Sequence, residues 1–263
     1  MKRSLLMSFL LPPFLLNAQK DLTVEAGAIK TLTSTERTLT LRSLSLGDNS
    51  TIIIPQTMDG WTVTATDVTI GENVKIIGQG SNGFIGANGT SLSYIAQNCK
   101  VGINGANGAS GQYGSSGKNI SLTLKIRSIG TLRINVNGTA GGNGGNGGNG
   151  GKGGPASCTC DAGAGGRGGN GGPGGSGGRG GNVKIIYSKI GNVTISNSNF
   201  LIQNSGGPMG YGGFGGQGGQ GGAGGGCTDP KAAVRPAGTP GSAGLSGSRG
   251  GMGINGTTTI SVQ

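Results

Sequence analysis

Apolar and polar residues alternate in short segments through the first third of the chain, with Gly-Asp-Asn or Gly-Glu-Asn turns between some of them. These segments are residues 39–46, 50–55, 61–70 and 73–78. Alternation with a period of two is typical of β-strands that bury one face. The pattern predicts a β-solenoid-like region over residues 19–78, with a small sandwich as the alternative, and it places Trp61 in the core or at its cap.

A second pattern begins at residue 79, where strand-like segments alternate with glycine-rich blocks. Strand-like alternation returns at residues 119–137, 182–204 and 257–263. Each glycine-rich block has two runs of glycine triplets, one before and one after a single interruption. Because each block leaves one strand and returns to the next, it is predicted to be a hairpin that reverses at its interruption.

The spacing of the glycines predicts a backbone conformation for these runs. Glycine supplies 63 of the 263 residues, and in the runs it recurs with a period of three. Three residues per turn is the repeat of the polyproline II helix. The predicted fold class is therefore all-β and irregular, with a bundle of six glycine-rich polyproline II (polyglycine II) helices, arranged as three hairpins and interleaved with β-strands, over residues 79–263. Collagen has the same period but requires three chains and usually more proline.

Triplets of the form Gly-Gly-x fill the second block, whereas the other two blocks contain many Gly-x-x triplets. A Gly-Gly-x run has two sides without side chains, so neighbours can approach it closely on both sides. We therefore expect the second block to be central and its remaining residues to project outward. The projecting residues are nearly all polar: Asn143, Asn146, Asn149, Lys152, Arg167, Asn170, Pro173, Ser176 and Arg179.

All four cysteines lie in the interruptions: Cys99 in the first, Cys158 and Cys160 in the second, and Cys227 in the third. Four cysteines allow three pairings, and a bond between Cys158 and Cys160 would close a strained, very small ring. We expect the second reversal to be joined by disulfides to both others, with the order of pairing open. A zinc site is the alternative.

The first residues are typical of a secretory signal peptide over residues 1–18. Lys2 and Arg3 precede an apolar stretch, and Ala18 is a small residue suited to cleavage. A membrane anchor is the alternative interpretation, and no other stretch of the sequence is apolar enough to cross a membrane. We expect an extracellular or cell-surface protein, in a compartment where disulfides persist.

The charge is basic and unevenly distributed. The formal net charge is +11, and residues 73–263 contain fourteen Lys and Arg but two Asp and Glu. This imbalance favours anionic partners, such as surface polysaccharide, lipopolysaccharide or extracellular DNA, although the charge could serve solubility alone. The chain has no histidine, which removes histidine-based triads and most zinc enzyme sites. We predict no catalytic residues, cofactor or metal, and no cytoplasmic nucleic acid as a partner.

The runs GGNGGNGGNGGKGG and GGRGGNGGPGGSGGRGG resemble polyglycine II helix-bundle proteins such as the snow flea antifreeze protein. The succession SIGTLRINVNGTAGGNGGNGGNGG resembles the tip adhesins of T-even-type phage long tail fibres. The resemblance covers residues 79–257 and implies a glycine-helix scaffold. The phage adhesins carry receptor-binding loops at the distal end of that scaffold.

Outside the strands, varied side chains concentrate in the reversals. The candidate binding residues are Tyr94, Ile95, Gln97 and Lys100 in the first reversal and Lys231, Val234 and Arg235 in the third. The leading hypothesis is an adhesin-like, non-enzymatic structural or binding protein that presents these loops on a rigid scaffold. A self-associating subunit of an extracellular filament or matrix is the second hypothesis, and an ice-binding protein is the third.

Overall fold

The computed structural model describes residues 20–91, 94–225 and 233–263. Within these residues the chain forms eleven strands and two short 3-10 turns, Ser34–Glu36 and Asn197–Asn199. The strands are β1 (Lys20–Val24), β2 (Ile29–Thr31), β3 (Thr38–Leu46), β4 (Thr51–Ile53), β5 (Gly60–Ile70), β6 (Val74–Ile77), β7 (Asn119–Ile129), β8 (Leu132–Asn135), β9 (Val183–Lys189), β10 (Phe200–Gln203) and β11 (Thr258–Val262). The predicted signal peptide lies outside the described residues.

The strands build two parallel sheets. The odd-numbered strands form a six-stranded sheet in the order β1-β3-β5-β7-β9-β11, and the even-numbered strands form a five-stranded sheet in the order β10-β8-β6-β4-β2. From β1 to β11 the chain therefore alternates between the two sheets, so each successive pair of strands adds one strand to each sheet. The register aligns apolar residues of equivalent position, such as Ile52 with Ile76.

Alternate residues of both sheets are buried in one hydrophobic cluster. Leu41 and Val63 of the larger sheet and Ile52 of the smaller one have no exposed surface. Trp61 is 1% exposed, which confirms its predicted place in the core. Burying a side chain of this size stabilises a fold by about 1.5–3 kcal/mol relative to leaving it in water, so the repeated apolar positions hold the two sheets together.

The Gly-Asp-Asn and Gly-Glu-Asn turns stack on one another. Asn49 and Asn73 both adopt left-handed backbone angles, with φ of 56° and 53°. The side-chain Nδ2 of Asn73 donates to Oδ1 of Asn49 over 2.9 Å. Asparagine tolerates this region of backbone space better than most residues, so the turn sequences both permit the corner and link successive passages of the chain.

The predicted fold class, solenoid-like strands followed by a bundle of six glycine-rich polyproline II helices in three hairpins, is wrong. The structure is two parallel sheets of eleven strands, and helix among the described residues is limited to the two 3-10 turns. Between the strands the glycine-rich runs have almost no regular secondary structure of their own. The period of three does not make each run a helix; it places a glycine wherever one run approaches another.

We number these runs 1 (78–91), 2 (102–118), 3 (138–155), 4 (163–181), 5 (206–225) and 6 (238–256). Runs 1, 3 and 5 leave the smaller sheet, and runs 2, 4 and 6 lead back into the larger one. Backbone hydrogen bonds join the runs to one another instead of within themselves.

In a Gly-Gly-x triplet the two glycine N–H groups donate to different neighbours. In run 3, Gly141 donates to Pro208 O of run 5 over 3.0 Å, and Gly142 donates to Gln112 O of run 2 over 2.8 Å. A Cβ built on Gly142 would overlap the carbonyl oxygen of Phe84 in run 1. Runs 3 and 4 thus bond to runs of both other blocks, as the triplet types indicated, and their glycines permit that close approach.

Candidate binding surfaces

The first two reversals are joined by their backbones at the end of the runs that is remote from the sheets. Ala96 N donates to Lys152 O over 3.0 Å, and Cys99 N donates to Pro155 O over 2.9 Å. In the opposite sense, Gly154 N donates to Lys100 O over 2.8 Å. These bonds fix the segment that begins at Tyr94 against the second block.

A disulfide joins the same two reversals, which confirms the prediction that the cysteines form disulfides. Cys99 is bonded to Cys160, which lies 61 positions later in the sequence, and their Cα atoms are 5.9 Å apart. Cys99 has a φ of 63° and so occupies the left-handed region at the turn. Cys158 is disulfide-bonded as well. Cys227 lies outside the described residues.

The third reversal meets the second through Arg235. Arg235 and Gly225 exchange backbone hydrogen bonds of 2.8 and 3.2 Å, which close the described part of this reversal. The Arg235 guanidinium lies 3.2 Å from a carboxylate oxygen of Asp161. An ion pair this exposed contributes about 1 kcal/mol or less, so its role is to orient the loop more than to stabilise the fold. All three reversals therefore converge on one surface, which we call the tip surface.

Four apolar side chains are exposed on or beside the tip surface. The exposed fractions are 59% for Tyr94, 56% for Ile95, 62% for Val101 and 79% for Val234. Gln97 and Lys100 are exposed as well. Of the predicted binding residues, Lys231 lies outside the described residues. Sequence reasoning missed Val101, although an apolar residue directly after Lys100 was a usable signal.

A second surface, which sequence reasoning did not identify as a site, lies on the outer side of runs 1, 3 and 5. Three projecting asparagines of run 3 accept hydrogen bonds from the backbone of run 5 through their Oδ1 atoms. Asn143 accepts from Tyr211 N, Asn146 from Phe214 N and Asn149 from Gln217 N, over 2.8–2.9 Å. We call this surface the asparagine face. The sequence signal was the repeated Gly-Gly-Asn triplet, whose asparagines were predicted only to project outward from run 3.

The carboxylates with lowered pKa values, Asp21, Glu36 and Asp67, lie in or beside the sheets and not on these surfaces. A two-point hydrogen bond from Arg127 holds the pKa of Asp67 below its ordinary value, and Arg42 does the same to the pKa of Asp21. Both pairs bridge neighbouring strands. In the part of the chain that the structure describes, no group of three or more His, Cys, Asp or Glu residues could hold a metal ion.

Comparisons with known proteins add little to this description. No family model matches the chain, and no curated protein matches it. One solved structure that is similar is the springtail antifreeze protein from Granisotoma rainieri, described as a nine polyproline type II helical bundle whose crystal waters match the ice lattice. It is 27% identical over 62% of this chain and 94% of its own, and the TM-score is 0.10. So low a TM-score carries no argument about fold or function, and nothing in the comparisons supports the resemblance to phage tail-fibre adhesins.

Within the described residues, no helix is both long enough and apolar enough to span a membrane.

Proposed function

We propose that the protein is an extracellular or cell-surface binding protein of the adhesin type, without catalytic activity, which recognises its partner through the tip surface. The observation that carries the proposal is the convergence of the three reversals. Segments that are far apart in sequence meet through the Cys99–Cys160 disulfide and the Arg235–Asp161 ion pair. A composite surface from several loops on a fixed scaffold is a common arrangement for recognition.

The composition of the tip surface supports contact with a partner. Tyr94, Ile95 and Val234 are each more than half exposed, and exposed apolar side chains on converging loops are common at interaction sites. Lys100 adds positive charge to this surface, whereas the charge of Arg235 is paired with Asp161. The charge of Lys100 and the basic character of residues 73–263 favour an anionic partner such as acidic surface polysaccharide or lipopolysaccharide. The disulfides support an oxidising compartment.

The test is adhesion of the purified, oxidised protein to cells of its source or to their extracted surface polysaccharide. A triple variant, Tyr94→Ser, Ile95→Ser and Val234→Ser, leaves every cysteine in place. We expect it to reduce binding by about tenfold or more, because exposed apolar anchors dominate interface energies. Tyr113→Ser is the matched control, since Tyr113 is 78% exposed on run 2. Unchanged adhesion by the triple variant would exclude the tip surface as the binding site.

Assembly into a filament or matrix is a second candidate function, favoured by the edges of the larger sheet. Strand β11 lies at one edge and β1 at the other, and Val262 of β11 is 65% exposed. Neither strand has a partner on its outer side among the described residues, and such edges can pair with another chain. Light scattering over a wide concentration range tests this function, and a monomer at the highest concentration would argue against it. Ice binding stays a hypothesis, to be tested by thermal hysteresis at millimolar protein.

A further inference from the structure

The asparagine face carries two adjoining grooves that are distinct from the tip surface. One groove, of about 550 Å³, lies between Ile85, Asn88 and Asn146 on one side and Phe214 and Arg249 on the other. The second groove, of about 530 Å³, shares Ile85, Asn143 and Tyr211 with the first. Because the grooves share these residues, together they make one elongated depression along runs 3 and 5.

The hydrogen bonds of the asparagines determine what this depression offers to a ligand. Oδ1 of Asn88 accepts from Asn146 N over 2.8 Å, and Oδ1 of Asn143 and Asn146 accept from Tyr211 N and Phe214 N. The amide oxygen of each side chain is therefore occupied by the neighbouring run. The Nδ2 groups make no hydrogen bond to another described residue, so each of the three asparagines presents its donor.

The donors have a fixed spacing along the face. Asn143 and Asn146 are three residues apart in run 3, which places their backbones at most about 10 Å from each other in an extended chain. Both glycines between them bond to other runs, so the spacing cannot relax by bending of run 3. A ligand that accepts hydrogen bonds at several points along its length would match this array better than a single small ion.

Aromatic and apolar side chains form the rest of the depression. Phe214 is 74% exposed, Tyr211 is 56% exposed and Ile85 is 72% exposed. The guanidinium of Arg249 lies over the Tyr211 ring, 5.3 Å from its centroid. A cation in this position is attracted to the face of the ring, and this attraction favours the observed orientation of the Tyr211 side chain. Rings of this kind offer flat apolar surfaces beside hydrogen-bond donors, which is the usual composition of a small-molecule site.

The charge of the depression selects the ligand further. Among the described residues that line the two grooves, Arg249 is the only charged residue, and there is no carboxylate. Amide donors and a guanidinium favour a ligand rich in oxygen acceptors, at least some of them anionic. The flat rings favour a ligand with apolar C–H faces, and the elongated shape favours a chain.

We propose that the asparagine face binds an acidic oligosaccharide chain, with sugar rings against Tyr211 and Phe214. The hydroxyl and carboxylate oxygens of the chain accept hydrogen bonds from Asn88, Asn143 and Asn146, and Arg249 pairs with a carboxylate. This site is separate from the tip surface, so it stands whether or not the tip surface binds a partner.

The experiment measures binding of a uronic-acid hexasaccharide to the full, oxidised protein by isothermal titration calorimetry, with a neutral glucose hexasaccharide as comparison. Asn143→Asp is the central variant, because a carboxylate oxygen can still accept from Tyr211 N whereas the Nδ2 donor is replaced by negative charge. Asn170→Asp is its matched control: Asn170 Oδ1 accepts from Leu245 N over 2.9 Å in the same way, but on run 4. Phe214→Ser tests the stacking surface independently.

We expect the acidic hexasaccharide to bind at least about tenfold more tightly than the neutral one, and Asn143→Asp and Phe214→Ser each to weaken binding by about tenfold or more. Asn170→Asp should change the affinity less than twofold. Absence of binding to the wild-type protein at millimolar sugar would overturn the proposal, as would equal losses for Asn143→Asp and Asn170→Asp.

Two further outcomes separate this site from other uses of the same residues. Loss of hexasaccharide binding in the Tyr94, Ile95 and Val234 triple variant, with Asn143→Asp unaffected, would move the sugar site to the tip surface and overturn the proposal. Self-association of the wild-type protein that Phe214→Ser abolishes, without any sugar binding, would show that a second copy occupies this face. Retained binding in the triple variant supports the asparagine face even if the tip proposal fails.

Discussion

Substitution of a single glycine tests how the runs hold together, and Gly172→Ala is the sharpest case. Gly172 lies in run 4, and a Cβ at this position would overlap the carbonyl oxygen of Ala109 in run 2. The overlapping atoms belong to the backbone, so they cannot turn aside as the end of a flexible side chain could. Runs 2 and 4 must separate locally to accept the extra carbon.

The cost follows from the hydrogen bonds that this separation strains. Gly108 N donates to Asn170 O over 2.8 Å and Gly111 N donates to Pro173 O over 2.9 Å, on either side of the contact. Each such bond contributes about 0.5–1.5 kcal/mol net, and overpacking alone costs about 1–3 kcal/mol. We therefore expect Gly172→Ala to lower the free energy of unfolding by about 2–6 kcal/mol.

Gly251→Ala is the matched control. The nearest atom to a Cβ at Gly251 is Ser176 Oγ, at an ordinary 3.5 Å. Replacing an unhindered glycine reduces the conformational freedom of the unfolded chain and stabilises a protein by about 0.4–1 kcal/mol. The expected changes in the free energy of unfolding therefore have opposite signs, although both variants replace glycine by alanine in a glycine-rich run.

The assay is thermal unfolding followed by circular dichroism, with the disulfides intact. At about 2–4 °C per kcal/mol for a chain of this size, Gly172→Ala should lower the midpoint by roughly 10 °C. Gly251→Ala should leave it unchanged or raise it slightly. Equal midpoints for the two variants would refute the argument that close contact between the runs determines where glycine is required.

Three other predictions concern the disulfide, the ion pairs and the core. The double substitution of Cys99 and Cys160 by Ser should lower the unfolding free energy by about 4 kcal/mol on the chain-entropy model, measured by urea denaturation against the oxidised wild type. Arg127 lowers the pKa of Asp67 in the folded state. The pair therefore stabilises the fold at pH values above the ordinary Asp pKa, and this stabilisation is lost as the pH falls through the lower pKa of the folded state. The difference in urea midpoint between the wild type and Asp67→Asn should shrink below about pH 4. Ile185 has no exposed surface, so Ile185→Ala should lower the free energy of unfolding by about 2–5 kcal/mol. A decrease of less than about 1 kcal/mol in urea denaturation would contradict the place of Ile185 in the core.

The period of two predicted the positions of some strands closely and missed others. The predicted segments 39–46, 61–70 and 73–78 contain or closely match β3, β5 and β6, whereas β1 and β2 lie in none of the predicted segments. The segment 119–137 was interpreted as one strand-like stretch, but the chain turns from one sheet to the other between Ile129 and Leu132. The alternation continues across this corner almost without interruption, so the pattern could not show where it lies.

The tip surface, like the strands, was predicted only in part. The cysteines marked the reversals, and the Cys99–Cys160 disulfide connects two of them. The contact between Arg235 and Asp161 could not be predicted, because it joins residues 74 positions apart through a side-chain pair with no pattern in the sequence.

The sequence alone determined several local features of this protein: the positions of strands such as β3, β5 and β6, the segments in which the chain reverses, and the positions at which glycine leaves no side chain. These features depend on periods of two and three, which neighbouring residues express directly. The tertiary structure decided that the strands form two parallel sheets and that the runs bond to one another without forming six helices. It also decided that Asn143 meets Tyr211, 68 residues further along the chain. The sequence pattern repeats every three residues, so it is compatible with many alignments of one run on another, and only the fixed register of the strands that begin and end each run selects one.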